Sequence, residues 1–355
     1  MKIELSKMIA DENVTVVEAM QLIDKNTQGI LYVVNNGAIV GSLTDGDIRR
    51  FIIKSGVLDS PIRLAMNKNP KCVFESEIDN AAEIMKSKKI YSIPVIDSER
   101  KIIDIIFSDD VPKQAINSKA LSDTPVIIMA GGKGTRLYPF TKILPKPLIP
   151  IGDVPILERI INRFNRYGAD DFYLTVNYKK EMIKSYFSEL APNYSITYVE
   201  ENKPLGTAGS IRLIEKRFDS SVIVTNCDIL IEADYEKVLK YHKESGNAMT
   251  IVSSLKNTTI PYGVLHSSEN GQITSMEEKP QLSCFINTGM YVLEPQYIEL
   301  IPDDTFYHMP SLAEQLIADG LKVGMYPISE NSFLDMGEFE EMKKMEARVN
   351  SGEIK

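Results

Sequence analysis

The chain has no tryptophan, and only three cysteines and three histidines among its 355 residues. Cys72, Cys227 and Cys284 lie far apart, and no CxxC or mixed Cys/His spacing marks a zinc site. They read as small buried hydrophobes. His242, His266 and His308 are equally scattered, so chemistry that relies on a histidine is not expected. No apolar run approaches the roughly 20 residues that cross a bilayer. The opening MKIELSK soon reaches Asp11 and Glu12, without a sustained apolar stretch or a small-residue cleavage site. It does not read as a secretory signal, and a cytoplasmic protein with no membrane partner is expected. A basic surplus is missing too: 40 Lys+Arg stand against 49 Asp+Glu, for a net charge of −9. Nucleic-acid binders usually carry a basic stripe, so the polyanions this protein handles are expected to be small and locally held.

What is present is length and pattern. At roughly 100–200 residues per domain, two or three domains are expected. Residues 1–116 hold a weak internal repeat, with Ile30 of the first copy matched by Ile93 of the second. Each copy opens on an amphipathic helical pattern: Val17, Ala19, Met20, Leu22 and Ile23, then Ile78, Ala81, Ala82, Ile84 and Met85. Two strand-like runs come next, 30–34 and 38–43, then 93–96 and 101–107. The Asn35-Asn36-Gly37 step between the first two is a hairpin signal. Helices at 47–53 and 110–116 close the copies. This organisation, and the phrase GSLTDGDIRR at 41–50, resemble a tandem pair of cystathionine-β-synthase (CBS) domains, an α+β repeat module. The resemblance implies copies at 1–57 and 58–116 and an adenosine nucleotide held by Thr44 and Asp47. In the second copy Ser108 matches Thr44, but Val111 stands at the Asp47 position. CBS pairs often associate, so a homo-oligomer is expected.

Residues 117–123 read as a polar linker, and a new domain opens at 124. Strands are expected at 126–129, 171–176, 196–199, 221–225 and 248–253. Helices are expected at 155–167, 180–189, 208–214, 235–244 and 311–319. Such alternation implies an α/β sheet whose ligands sit at strand carboxyl ends. The first strand runs into Ala130-Gly131-Gly132-Lys133-Gly134-Thr135-Arg136. Glycines there let backbone amides approach phosphate, and Arg136 adds a guanidinium fork. Pro145, Pro147 and Pro150 then hold Lys146 on a stiff support. Gly-Lys-Ser/Thr is absent, so the loop is not a Walker loop and a P-loop ATPase is disfavoured.

The run GGKGTRLYPFTKILPKPLIPI, together with the rest of the chain beyond it, resembles the sugar-1-phosphate nucleotidylyltransferases. The resemblance implies a Rossmann-like nucleotide-diphospho-sugar transferase domain over 124–355. It makes Arg136 and Lys146 catalytic. It gives the nucleotide to Ala130, Gly131, Gly132, Gly134, Thr135, Gly206 and Thr207. Asp228, ending the run VIVTNCD, and Asp335, in SFLDMGE, become ligands of Mg2+. Gly263, Glu278, Lys279, Asn287 and Thr288 become the sugar-phosphate side. The loop PLGTAGS is similar to that of guanylyl-transferring members, which implies GTP and either glucosamine-1-phosphate or mannose-1-phosphate, in bacterial surface-glycan or nonulosonic acid synthesis. Transfer of uridylyl, cytidylyl or thymidylyl groups, or a non-catalytic nucleotide sensor, stays open on the sequence.

Overall fold

A computed structural model describes residues 5–26, 28–108, 119–190 and 192–352. The chain divides into two compact units. Met1–Ala115 and Leu255–Cys284 form the first; Ile116–Ser254 and Phe285–Lys355 form the second.

In the first unit, the first copy runs β1 (Ile9–Asp11), α1 (Val16–Asn26), β2 (Ile30–Asn35), β3 (Ala38–Thr44) and α2 (Asp45–Ser55). The second runs β4 (Val73–Phe74), α3 (Ala81–Lys88), β5 (Ser92–Ile96) and β6 (Ile102–Phe107). Each copy builds a sheet of the same order, β1-β2-β3 and β4-β5-β6. In both, the first pair is parallel and the second antiparallel. Strands as short as β1 and β4 show no alternation, which is why the sequence did not reveal them. The copies face each other through Tyr32 and Ser92, whose hydroxyls lie 2.9 Å apart, and through the Ile39 N–H donating to Arg100 O at 2.9 Å. Burial raises the Tyr32 phenol above its ordinary range.

The expected helix at 47–53 starts two residues earlier because Thr44 caps it. The Asp47 N–H donates to Thr44 Oγ1 at 3.3 Å, and the Thr44 N–H donates back to Asp47 Oδ2 at 2.9 Å. This reciprocal box satisfies two amides that the first helical turn leaves open. The helix expected at 110–116 lies outside the described residues.

The second unit runs β7 (Val126–Ala130), α4 (Phe140–Ile143), β8 (Pro150–Ile151), β9 (Val154–Pro155), α5 (Ile156–Asn165), β10 (Asp171–Val176), α6 (Lys180–Ser188), β11 (Ser195–Glu200), α7 (Gly206–Gly209), β12 (Val222–Asn226), β13 (Ile229–Ile231), α8 (Tyr235–Ser245) and β14 (Met249–Thr259), whose residues from Leu255 onward fall in the first unit. The chain next forms the hairpin β15 (Gly263–Ser267) and β16 (Ile273–Glu278), which belongs to the first unit. It returns to the second unit at Phe285, within β17 (Gln281–Leu293), and goes on through α9 (Met309–Ala318), β18 (Val323–Ile328), β19 (Phe333–Asp335) and α10 (Phe339–Asn350). Leu121, read from the sequence as linker, is fully buried in this unit's core, and its N–H donates to Tyr167 O.

Among the described residues the main sheet has the order β11-β10-β7-β12-β17-β14-β18. β7, β10, β11 and β12 are parallel, and β17 runs antiparallel to β12. β7 is buried on both faces. Val126, Ile128 and Ala130 enter one apolar cluster, Ile127 and Met129 the other. The chain leaves β7 toward β10 and β11, then returns to place β12 on the opposite side. This reversal opens a crevice beyond the carboxyl end of β7, where α/β sheets bind ligands.

A polar cluster lies inside this unit, away from that crevice. His242 is 1% exposed; its Nδ1 is 2.8 Å from Thr250 Oγ1 and its Nε2 3.0 Å from Glu294 Oε1. Ser221 Oγ donates to the same Glu294 oxygen at 2.6 Å. Burial lowers the His242 pKa despite the neighbouring carboxylate. The unfolded state therefore takes up the proton first, and this contribution to stability, complete above about pH 6.5, is lost as pH falls. The expected outcome is a denaturation midpoint that drops between pH 7 and pH 5 more steeply in the wild type than in His242→Gln. Parallel pH profiles would refute it.

Candidate active site

The crevice is lined from strand ends. Where β7 stops, Gly131, Gly132 and Gly134 lead into a 3-10 turn, Thr135–Leu137. Among the described residues no acceptor takes the N–H of Gly132, Lys133 or Gly134. The loop thus keeps backbone donors for a ligand, as phosphate-binding loops do. Thr141 Oγ1 donates to Gly134 O at 2.9 Å and fixes the loop's far end.

Lys146 sits on its own 3-10 turn, Lys146–Leu148, held between prolines as expected. It is 8% exposed, which is unusual for lysine. Burial is tolerable because its Nζ pairs with Asp228 Oδ2. Asp228 lies two residues beyond β12. Its backbone carbonyl accepts from the Met336 N–H at 2.8 Å, and the pairing of β13 with β19 sets Ile229 opposite Asp335. Two aspartates more than a hundred positions apart in sequence are therefore held side by side. The Asp335 carboxyl is raised above its ordinary range, first by burial and next by the Asp228 charge, with Lys146 and Arg136 opposing.

Two cavities of about 430 Å³ each share Arg136, Thr207, Asn226 and Asp228. Gly131, Gly132, Gly134, Thr135, Lys146, Glu201 and Gly206 line the first. Asn287, Thr288, His308, Ser311 and Asp335 line the second. Asn287 Nδ2 donates to Tyr291 Oη at 2.7 Å, and Thr288 Oγ1 donates to Val252 O at 2.7 Å.

The PLGTAGS loop is a wall rather than an anion cradle. Its α7 is only four residues long, and the Ala208 and Gly209 amides donate to Tyr307 O at 2.9 and 3.1 Å. Gly206 takes φ +79, and a Cβ there would lie 2.5 Å from Tyr307 O, so only glycine closes this turn. Thr207 Oγ1 accepts from the Met309 N–H at 3.0 Å.

Gly263, Glu278 and Lys279 belong to the first unit, at the base of the β15–β16 hairpin. Gly263 pairs with Glu278, and Lys279 turns the chain at φ 49. Thr44 and Asp47, also in the first unit, are engaged with each other: Thr44 Oγ1 donates to Asp47 Oδ2 at 2.6 Å, while Asp47 Oδ1 pairs with Arg50. A ribose there would have to replace the helix cap. Cys284 is exposed and Cys72 half-buried, which corrects the reading of all three cysteines as buried; Cys227 alone fits it. Exposure of Cys284 comes from its place on the segment of β17 that lies outside the sheet core.

Several lining residues escaped the sequence reading. Thr175 and Glu201 each sit at the end of a strand, Asn226 precedes Asp228, and Phe306 and His308 fall in a loop without a motif. Strand-end position alone could have found the first three.

The donor set suits a hard cation bound with phosphate. Among the described residues no group of three or more acidic, histidine or cysteine side chains could hold a metal alone. Mg2+ commonly takes one or two carboxylates and completes its shell with water and substrate phosphate. Asp228 and Asp335, whose mutual repulsion a cation would relieve, fit that requirement.

A family model described as nucleotidyl transferase matches residues 125–351, and a CBS domain model matches twice, at 6–54 and 62–113. The first match covers more than half of the chain. The chain belongs to the nucleotidyl transferase family and carries two CBS domains ahead of that domain. It is 32% identical over 254 residues to a UTP–glucose-1-phosphate uridylyltransferase of Synechocystis, covering 64% of this chain and 64% of that protein. It is 36% identical over 184 residues to a mannose-1-phosphate guanyltransferase of Debaryomyces hansenii, covering 49% of this chain and 51% of the relative. The matches thus span between half and just under two thirds of these curated relatives. Among solved structures, HddC from Yersinia pseudotuberculosis is 28% identical with a TM-score of 0.51, covering 64% of this chain and 99% of that one.

Removing one partner of a buried ion pair leaves the other charge without compensation. Lys146→Met is expected to lower unfolding free energy by about 2 kcal/mol, and Lys146→Met with Asp228→Asn by less than that single change. Additive losses in chemical denaturation would show that the pair does not couple.

Proposed function

We propose that the protein transfers GMP from GTP onto a sugar-1-phosphate, releasing pyrophosphate and giving a GDP-sugar. The observation that carries this reading is the convergence, at one sheet edge, of unpaired loop amides, Lys146, Arg136 and the Asp228–Asp335 pair. In the proposed reaction a sugar-phosphate oxygen bonds to the α-phosphorus as the bond to the β-phosphate oxygen breaks. Both reactants are polyanions. Two unit charges about 4 Å apart already repel by about 1 kcal/mol in water, and by more at a partly enclosed site. What the chain must supply is therefore positive charge and orientation. A base is unnecessary, because the phosphate monoester is already ionised near neutral pH.

Ala130, Gly131, Gly132, Gly134 and Thr135 cradle the triphosphate. Gly206 and Thr207 border the nucleoside. Lys146 and Arg136 offset charge on the phosphates and the leaving group. Asp228 and Asp335 would hold Mg2+ together with the triphosphate, where the ion would supply charge neutralisation. Asn287 and Thr288 face the sugar side. The assignment of Gly263, Glu278 and Lys279 to the sugar phosphate rests on their sequence motifs. Guanine is favoured by the form of the PLGTAGS loop and by the guanyltransferases among the relatives. Glucosamine-1-phosphate and mannose-1-phosphate are the proposed acceptors. The uridylyltransferase relative makes UTP the specific competitor.

A matrix of four nucleoside triphosphates against several sugar-1-phosphates, read by pyrophosphate release, tests this. Highest turnover is expected with GTP and one of the two proposed acceptors, and loss of turnover in EDTA. Lys146→Ala should lower kcat/KM at least about 100-fold. Preference for UTP would overturn the base assignment, and no release from any pair would overturn the activity.

For the CBS pair we propose an adenosine nucleotide bound at Thr44 and Asp47, acting on the transferase, with self-association through the same module. Calorimetry should register AMP or ATP binding by the wild type and not by Thr44→Ala/Asp47→Ala. Absence of heat and of any kinetic response in the wild type would remove the regulatory role.

A further inference from the structure

We propose that Tyr178 and Lys179 are positioning residues for nucleotide binding. From outside the cleft they brace the short helix α4, and through it the glycine loop that receives the triphosphate. The proposal rests on the triphosphate lying at that loop, as in the reading above.

α4 has little of its own to hold it. It is four residues long, and isolated helices of that length do not persist in water. Thr141 is its one buried residue; Phe140 and Ile143 are 49% and 74% exposed. The Phe140 ring meets Phe339 at 5.7 Å. The carbonyls of this turn nevertheless find donors. The Lys142 N–H donates to Pro139 O and the Leu144 N–H to Phe140 O, both at 3.0 Å. The next three carbonyls, which a helix C-terminus leaves open, are taken by side chains. Tyr178 Oη donates to Thr141 O at 3.1 Å, and Lys179 Nζ donates to Lys142 O at 2.5 Å and to Ile143 O at 2.6 Å. A cation there also meets the favourable end of the peptide dipoles.

Lys179 is a poor choice for the element it belongs to. It stands at the N-cap of α6, where Ser, Thr, Asp or Asn is favoured and a cation is not. Its backbone takes φ 52, in the left-handed region that residues other than glycine rarely adopt. Its side chain gives α6 no capping bond. A residue that breaks the local rules of its own helix while reaching across to another segment points to a role at that segment. Tyr178 and Lys179 lie two and three residues beyond β10, so the brace is anchored at a strand end of the main sheet.

From α4 the contact passes to the loop. Thr141 is fully buried, and its Oγ1 bond to Gly134 O ties the two segments together. Gly134 takes φ +63, and a Cβ there would lie 3.0 Å from both Thr141 Cγ2 and Lys146 Cβ. The end of the loop is thus wedged between α4 and the stem of Lys146. Tyr178, Lys179 and Thr141 line neither cavity, so they reach a ligand through the loop alone.

A loop freed from its brace spends less of its time in the binding geometry. Affinity then falls in proportion to the competent fraction, while the bound state is unchanged once formed. Loss of the brace therefore raises the KM for the triphosphate and spares kcat. Asn287 and Thr288, on the sugar side, are carried by β17 and take no part in this chain of contacts.

The experiment is steady-state pyrophosphate release by the full-length wild type, Tyr178→Phe/Lys179→Met, Lys179→Arg and Thr141→Val. Each substrate is varied with the other saturating, using the triphosphate that the wild type prefers. The double variant is expected to raise the triphosphate KM about 10-fold, as a tenfold drop in the competent fraction requires. Its kcat and its sugar-phosphate KM should stay within about twofold of the wild type. Lys179→Arg, whose guanidinium also donates to two carbonyls, should restore the KM. Thr141→Val, which keeps the size and removes the tie to Gly134, should reproduce the rise. A lower kcat with an unchanged triphosphate KM, the mark of variants that fold less completely, overturns the positioning role. So does an equal rise in both KM values, and so does a double variant that matches the wild type. A wild type that releases no pyrophosphate from any triphosphate overturns the transfer reading and the brace with it.

Discussion

The cleft depends on one ion pair. Lys146 and Asp228 are both largely withdrawn from water, and each makes the other's burial tolerable. They stand on opposite sides of the point where the sheet reverses direction. Lys146 belongs to the segment that leaves β7, and Asp228 to the turn after β12. Both line the first cavity, so charge of both signs faces the same space. In the proposed reaction a triphosphate and its metal would each offer one partner a substitute counter-charge.

Around that pair, topology does the work of collection. The parallel strands β7, β10, β11 and β12 all end at one edge, and three of them deliver a different group as they stop. β7 delivers the loop amides, β11 the buried carboxylate of Glu201, and β12 the aspartate. The small β13–β19 pairing adds Asp335 from near the end of the chain. The cavity wall at the PLGTAGS loop is made differently. There Tyr307 O takes the Ala208 and Gly209 amides, Glu201 the Leu205 amide and His308 the Thr207 amide, so these backbone donors are already engaged.

The CBS module shows the same economy on a smaller scale. Thr44 and Asp47 satisfy the first turn of α2 and each other. Any ligand at these side chains competes with a helix cap worth about 1 kcal/mol, so occupancy and local helix stability are coupled there. In the sequence of the second copy valine stands at the aspartate position.

The sequence by itself determined the local architecture. Period and turn chemistry marked the repeat hairpins. A glycine loop after an apolar strand marked a turn at the strand's carboxyl end, and prolines around Lys146 marked a fixed cation. These signals lie within a few residues, where backbone sterics act directly. Strands too short to alternate, such as β1, β4 and β19, left no such trace. Burial of Leu121 was also hidden, because a polar neighbourhood in sequence does not reveal a core contact in space. Only the tertiary structure brought Asp335 beside Asp228, paired Lys146 with Asp228, and left Glu201 buried beside Gly131. Those facts depend on which strand ends become neighbours, and strand order is set by packing across the whole sheet rather than by any local run of residues.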